Sequence, residues 1–79
     1  MKAEARELYL YATDHFAKDI ERIHPDCVSP LIATRQVVKK AICQYVSEYC
    51  EKGADPLSVF SEEDFQVVSN QIYQEIMEA

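Results

Sequence analysis

Apolar side chains along this chain recur at helical spacing, and nowhere at the alternation of a half-buried strand. From Lys2 to His24, a stretch without Gly or Pro, Leu8, Ala12, Phe16, Ile20 and Ile23 step by three and four. At about 100° per residue they share an arc of roughly 120° with Ala5 and Tyr9, which predicts one amphipathic helix. Pro25 lacks an N–H and disfavours helical geometry at His24, so the helix should end there. Ser29-Pro30 reads as an N-cap and first helical position, opening a second helix to about Lys52. Gly53 is placed to supply a left-handed residue after it. Asp55-Pro56 repeats the signal for one short helical turn, Pro56 to Phe60. Ser61-Glu62-Glu63-Asp64 has the layout of a capping box and opens a third helix. Its stripe of Phe65, Val68, Ile72 and Ile76 ends near Met77. The expected fold is all-α: a small antiparallel bundle of three main helices plus one short helical turn, in a single domain over residues 1–79.

The middle helix carries more apolar circumference than one neighbour can cover. Leu31, Val38, Ala41, Ile42, Tyr45 and Tyr49 form one seam, and Ile32, Cys43, Val46 and Cys50 a second. Together they span about 200° of the wheel. A chain this short buries only about 60% of its unfolded surface, so self-association would supply missing core. Homodimerisation is therefore expected, with a seam of Ile32, Arg35, Lys39, Cys43, Val46 and Cys50. Arg35 and Lys39 project into this arc near the helix N-terminus, where cations are mildly unfavourable and an anion should compensate. Asp19, Asp64 and Glu75 are the intrachain candidates. The bland reading is that the two stems cover apolar surface while their charges reach water.

Composition localises the charge. The 79 residues hold 14 Asp and Glu against 8 Lys and Arg, a net −6, and 48% of them are apolar, too many for a disordered tail. Residues 1–29 sum to −2, residues 30–52 to +2, and residues 53–79, without a Lys or Arg, to −6. Asp55, Glu62, Glu63, Asp64, Glu75 and Glu78 thus form an acidic final third that cannot neutralise itself through i,i+4 pairs. Direct nucleic-acid binding is disfavoured, since phosphate contacts come from basic patches. A basic protein partner is favoured, set against a solvated face that only keeps the chain soluble. Leu10 and Tyr11 point off the first apolar arc and form a candidate exposed contact.

Chemistry is sparse. Glu21 and His24 have the Glu-x-x-His spacing of carboxylate metal sites, but no second copy completes the set. His24, Asp26 and Cys27 offer three ligand types in one loop without a fourth. Cys27, Cys43 and Cys50 are an odd, widely spaced set, which argues against a disulfide framework and for a reducing compartment. A single Gly excludes a phosphate-cradling loop. Gly53-Ala54-Asp55-Pro56-Leu57-Ser58 is similar to the Gly-Ala-Asp-Ser-Leu signature of acyl carrier proteins over about five residues, but Pro56 stands where the arm-bearing serine belongs.

The longest apolar run, Leu8 to Ala12, is far below the roughly 18 residues of a membrane span, and Met1 to Glu4 lead into no secretory h-region. The expectation is a cytoplasmic, non-enzymatic protein–protein interaction module without cofactor or metal. It would present its acidic third to a basic partner, in the narrower form as an inhibitor or antitoxin-like factor acting on a nucleic-acid-binding protein. The alternatives are a structural or assembly subunit whose acidic face only solubilises, and, more weakly, a metal or thiol site at His24 and Cys27.

Overall fold

The structure, a computed structural model, describes residues 1–78. Five helices follow one another: α1 (Ala3–His15), α2 (Ala17–Glu21), α3 (Pro30–Tyr49), α4 (Pro56–Val59) and α5 (Glu62–Glu78), with no strand among the described residues. The three long helices pack on one another, α3 lying against both α1 and α5. Lys2 approaches Glu63 and Tyr9 bonds Glu75, so α1 and α5 run in the same direction. Tyr45 stacks on Phe60 while Lys39 lies over Phe65, so α3 runs opposite to α5. Leu8, Val38, Val68 and Ile72 are fully buried where the three meet. No helix is long and apolar enough to cross a membrane among the described residues.

The first helix is broken, where the pattern predicts one unbroken rod. Phe16 leaves helical geometry at φ −121°, ψ 26°, and α2 restarts beyond it. Steps of four residues advance about 40° around a 3.6-residue helix, so the row from Leu8 to Ile20 winds by roughly 120°. A change of axis at Phe16 lets the chain follow the core despite that drift, and Ile23 ends buried.

The caps divide as well. Asp55 accepts the Leu57 amide at 3.0 Å and starts α4 as expected. Ser61 and Asp64 form the reciprocal box: the Ser61 amide donates to the Asp64 carboxylate and the Asp64 amide to the Ser61 hydroxyl, each at 3.1 Å. Ser29, in contrast, makes no side-chain cap bond, and α3 relies on Pro30 at its first position. α3 also stops at Tyr49, three residues short of Lys52, because Cys50 is extended. Gly53 therefore does not cap it. Its φ of +88° serves the turn closed by the Ala54 amide on the Glu51 carbonyl, at the position where a type II turn needs positive φ.

Candidate functional site

α3 is where the candidate surfaces converge, because its two flanks are finished differently. Thr34, Val37, Val38, Ala41, Ile42 and Val46 face the core. Thr34 tolerates full burial because its hydroxyl donates to the Pro30 carbonyl at 2.7 Å. Val46 thus leaves the proposed dimer seam for the core, and Cys50 is half-buried against the same core. Both corrections have one cause: the core claims a broader arc of α3 than its first seam. Ile32, Arg35, Lys39 and Cys43 remain exposed.

Three of these seam positions, Arg35, Lys39 and Cys43, border open space together with Ile42 from the core face. Arg35, Lys39, Ile42 and Cys43 of α3 meet Pro56, Leu57, Phe60, Ser61, Glu62 and Phe65 around a groove of about 410 Å³. Leu57 projects from its rim, 68% exposed. Neither cation finds the anion its position asks for: among the described residues, no carboxylate oxygen lies within 4.0 Å of Arg35 or Lys39. The three intrachain candidates are engaged elsewhere. Asp19 approaches Arg22 at 4.0 Å, Asp64 caps α5, and Glu75 accepts the Tyr9 hydroxyl. Lys39 instead holds its ammonium 5.9 Å from the centre of the Phe65 ring, its stem crossing apolar surface.

The other flank of α3 is closed by aromatic rings. Tyr45 meets Tyr11 edge-on at 5.2 Å, Phe60 at 5.0 Å and Tyr49, tilted, at 4.9 Å, while Tyr11 stacks on His15 at 4.2 Å. Tyr11, expected as an exposed contact, is only 8% exposed, because α1 turns this face toward the end of α3. Its buried hydroxyl has no hydrogen-bond partner among the described residues, and burial raises its pKa above the ordinary phenol value. Leu10 is exposed as expected, and Tyr49, assigned from the pattern to the main seam, is 66% exposed. Tyr45 donates to Glu7 at 2.7 Å, which pushes its pKa up to about 12. The Tyr9 hydroxyl donates to both Glu75 oxygens, at 2.6 and 2.8 Å, with the same result, about 12. A phenol that donates to a carboxylate resists ionising beside it.

The acidic third divides three ways. Asp55 and Asp64 are caps, and Asp64 is buried at 8% exposure, so it is not offered to a partner. Glu75 is held by Tyr9. Glu62, Glu63 and Glu78 remain exposed, and among the described residues only Lys2 approaches any of them, at 3.9 Å from Glu63.

A cleft of about 590 Å³ lies between the α1–α2 corner and α5, and the apolar periodicity gives no sign of it. Ile20, Ile23, Ile72 and Ile76 supply its apolar wall, and Glu21, His24, Asp26 and Glu75 its polar rim. The break at Phe16 helps to shape it, and that break has no Gly or Pro to announce it. Glu21 and His24 do share this rim, yet among the described residues no three His, Cys, Asp or Glu side chains gather as a metal-ligand set. The His24 Nδ1 accepts the Asp26 amide at 3.2 Å, an orientation that serves the loop. Cys27 is exposed beside it. No protein-family model, curated protein or solved structure matches this chain.

Proposed function

We propose that this chain is a non-enzymatic protein–protein interaction module that works as a homodimer and offers exposed carboxylates to a basic protein. The observation that carries the acidic part is the isolation of Glu63 and Glu78, two exposed acids approached, among the described residues, only by Lys2 at 3.9 Å from Glu63. Such a surface raises the encounter rate with a positively charged partner and loses that advantage as salt rises. In its narrower form the module is an inhibitor: carboxylates occupy the basic site of a nucleic-acid-acting protein in place of phosphates.

Affinity capture from native extract tests this with wild type and a Glu63→Lys/Glu78→Lys variant, leaving Glu62 intact because it lines the α3 groove. The expected result is a basic protein retained by wild type at low salt, and lost both at high salt and on charge reversal. Retention of the same proteins by both forms would remove the acidic surface from the mechanism. A retained protein that also binds nucleic acid, and releases it on adding the chain, would establish the inhibitor form.

A second reading, an assembly subunit with a merely solubilising acidic face, draws on Asp55, Asp64 and Glu75, whose carboxylates serve this chain itself. It expects indifference to the charge reversal.

A further inference from the structure

We infer that the groove between α3 and the α4–α5 junction is an isologous dimer interface, in which Arg35 and Lys39 of each copy face Glu62 of the other. This rests on the homodimer part of the reading above and is independent of the basic partner.

A two-fold interface uses one patch twice, so the patch must complement itself. A patch that carries a single sign of charge fails that condition. This one meets it: cations stand on its α3 edge, a carboxylate stands on its α5 edge, and Cys43, Leu57 and Phe65 also line it. Within one copy these opposite charges line the same groove without meeting, since no carboxylate comes within 4.0 Å of Arg35 or Lys39 among the described residues. A two-fold rotation exchanges the edges and brings each cationic row to the other copy's acid. Ile32, 56% exposed about one turn before Arg35, extends the apolar strip along α3.

Surface area points the same way. The chain exposes 5382 Å², whereas a compact monomer of its mass exposes about 4900 Å². The excess is the direction expected of a protomer drawn without its mate. An unrelated partner for the groove would need its own matching acid and base, whereas a second copy carries both by construction.

Charge exchange tests the pairing. Wild type, Arg35→Glu/Lys39→Glu, Glu62→Lys and an equimolar mixture of the two variants are followed by sedimentation velocity over a concentration series. Circular dichroism checks that each is folded. Wild type should reach twice 9.1 kDa. Each variant alone should dimerise at least roughly tenfold more weakly, because like charges are then juxtaposed. The mixture should recover the wild-type constant within about threefold, since every pairing between unlike variants is restored. Leu57→Asp, on an exposed side chain, should abolish the dimer without lowering helicity.

A wild type that stays at 9.1 kDa throughout would overturn the interface and the homodimer together. A dimer insensitive to all four changes would overturn the interface alone. Variants that both weaken the dimer but do not recover on mixing would overturn the reciprocal pairing.

Discussion

The two flanks of α3 solve one problem with different chemistry. On one, Tyr45 lies against Tyr11, Tyr49 and Phe60, and its hydroxyl reaches out to Glu7. On the other, Arg35 and Lys39 stand over a groove with no anion in reach among the described residues. A tyrosine joins an apolar body to a neutral, rotatable tip, so one chain can bury the ring and satisfy the hydroxyl together. A full charge needs an opposite charge, and here Asp64 and Glu75 are committed to a cap and a phenol while Glu62, on the same groove, does not come within 4.0 Å. The closed flank is therefore finished by intrachain contacts, while the open flank is left incomplete.

Two residues three apart on the short α4 segment expose the difference most sharply. Phe60 is buried with its ring against Tyr45 of the closed flank, while bordering the groove, and Leu57 is exposed on the open one. Phe60→Ala should destabilise by about 3–5 kcal/mol, the range for truncating a buried aromatic ring. Leu57→Ala should stay within about 0.5 kcal/mol, as for surface substitutions away from special features. Urea denaturation of the two variants checks this, at a concentration where the protein is monomeric. Equal losses would mean that the groove is closed within the single chain and the contrast between flanks is false.

Why one flank was readable and the other only half so follows from what periodicity measures. The spacing of Leu8, Ala12, Val68 and Ile72 reports burial against a neighbour, and all four are core. Periodicity cannot report which neighbour a side chain meets. Tyr11 lay off the arc of α1 and was expected outside, yet it faces the end of α3 because α3 arrives on that side. Val46 was placed on an outer seam because the wheel gives an apolar arc and not its limits. The break at Phe16 depends on tertiary fit, with no Gly or Pro to mark it. Arg35 and Lys39 were legible as cations lacking a counterion, since sequence position alone puts them on an apolar arc. Which acids would fail to reach them was only partly legible: the Asp64 cap and the Asp19–Arg22 pair are local in sequence, but Glu75 meets Tyr9 only in three dimensions.

The acids sharpen the comparison at smaller scale. Asp64 and Glu63 are adjacent, but one accepts the Ser61 amide from a buried position and the other is exposed. Asp64→Ala should cost about 1–2 kcal/mol, the cap range plus an amide left without its partner. Glu63→Ala should change stability by less than about 0.5 kcal/mol. Thermal melts at neutral pH distinguish them. Equivalent losses would show that charge at the positive end of the helix dipole matters more than the cap bond itself.

Ser69 reverses the sign. It sits fully buried on α5 and its hydroxyl has no hydrogen-bond partner among the described residues. Removing an orphaned buried polar group relieves its desolvation cost, so Ser69→Ala should stabilise by about 1 kcal/mol. A loss of stability in the melt would mean that the hydroxyl does find a partner in solution. That outcome would make this part of the core as well satisfied as Thr34, whose hydroxyl is bonded to Pro30.

The smallest effect is confined to alkaline solution, where the phenol–carboxylate bonds give the closed flank its own pH dependence. Tyr9 and Tyr45 are raised from 10.0 to about 12, first by their bonds to Glu75 and Glu7. Between those values the unfolded chain has released phenolic protons that the folded chain still holds. Unfolding then releases protons, so stability must fall as pH rises. The contribution is complete below pH 10 and lost as pH passes about 12. Urea midpoints measured from pH 9 to 12 should therefore decline for wild type and flatten for Tyr9→Phe/Tyr45→Phe, which keeps both rings and removes both donors. Arg35→Gln, on the open flank, should leave the slope unchanged. If it alters the slope as much as the tyrosine pair does, the alkaline response belongs to the whole charge distribution, and the two flanks of α3 are electrostatically one surface.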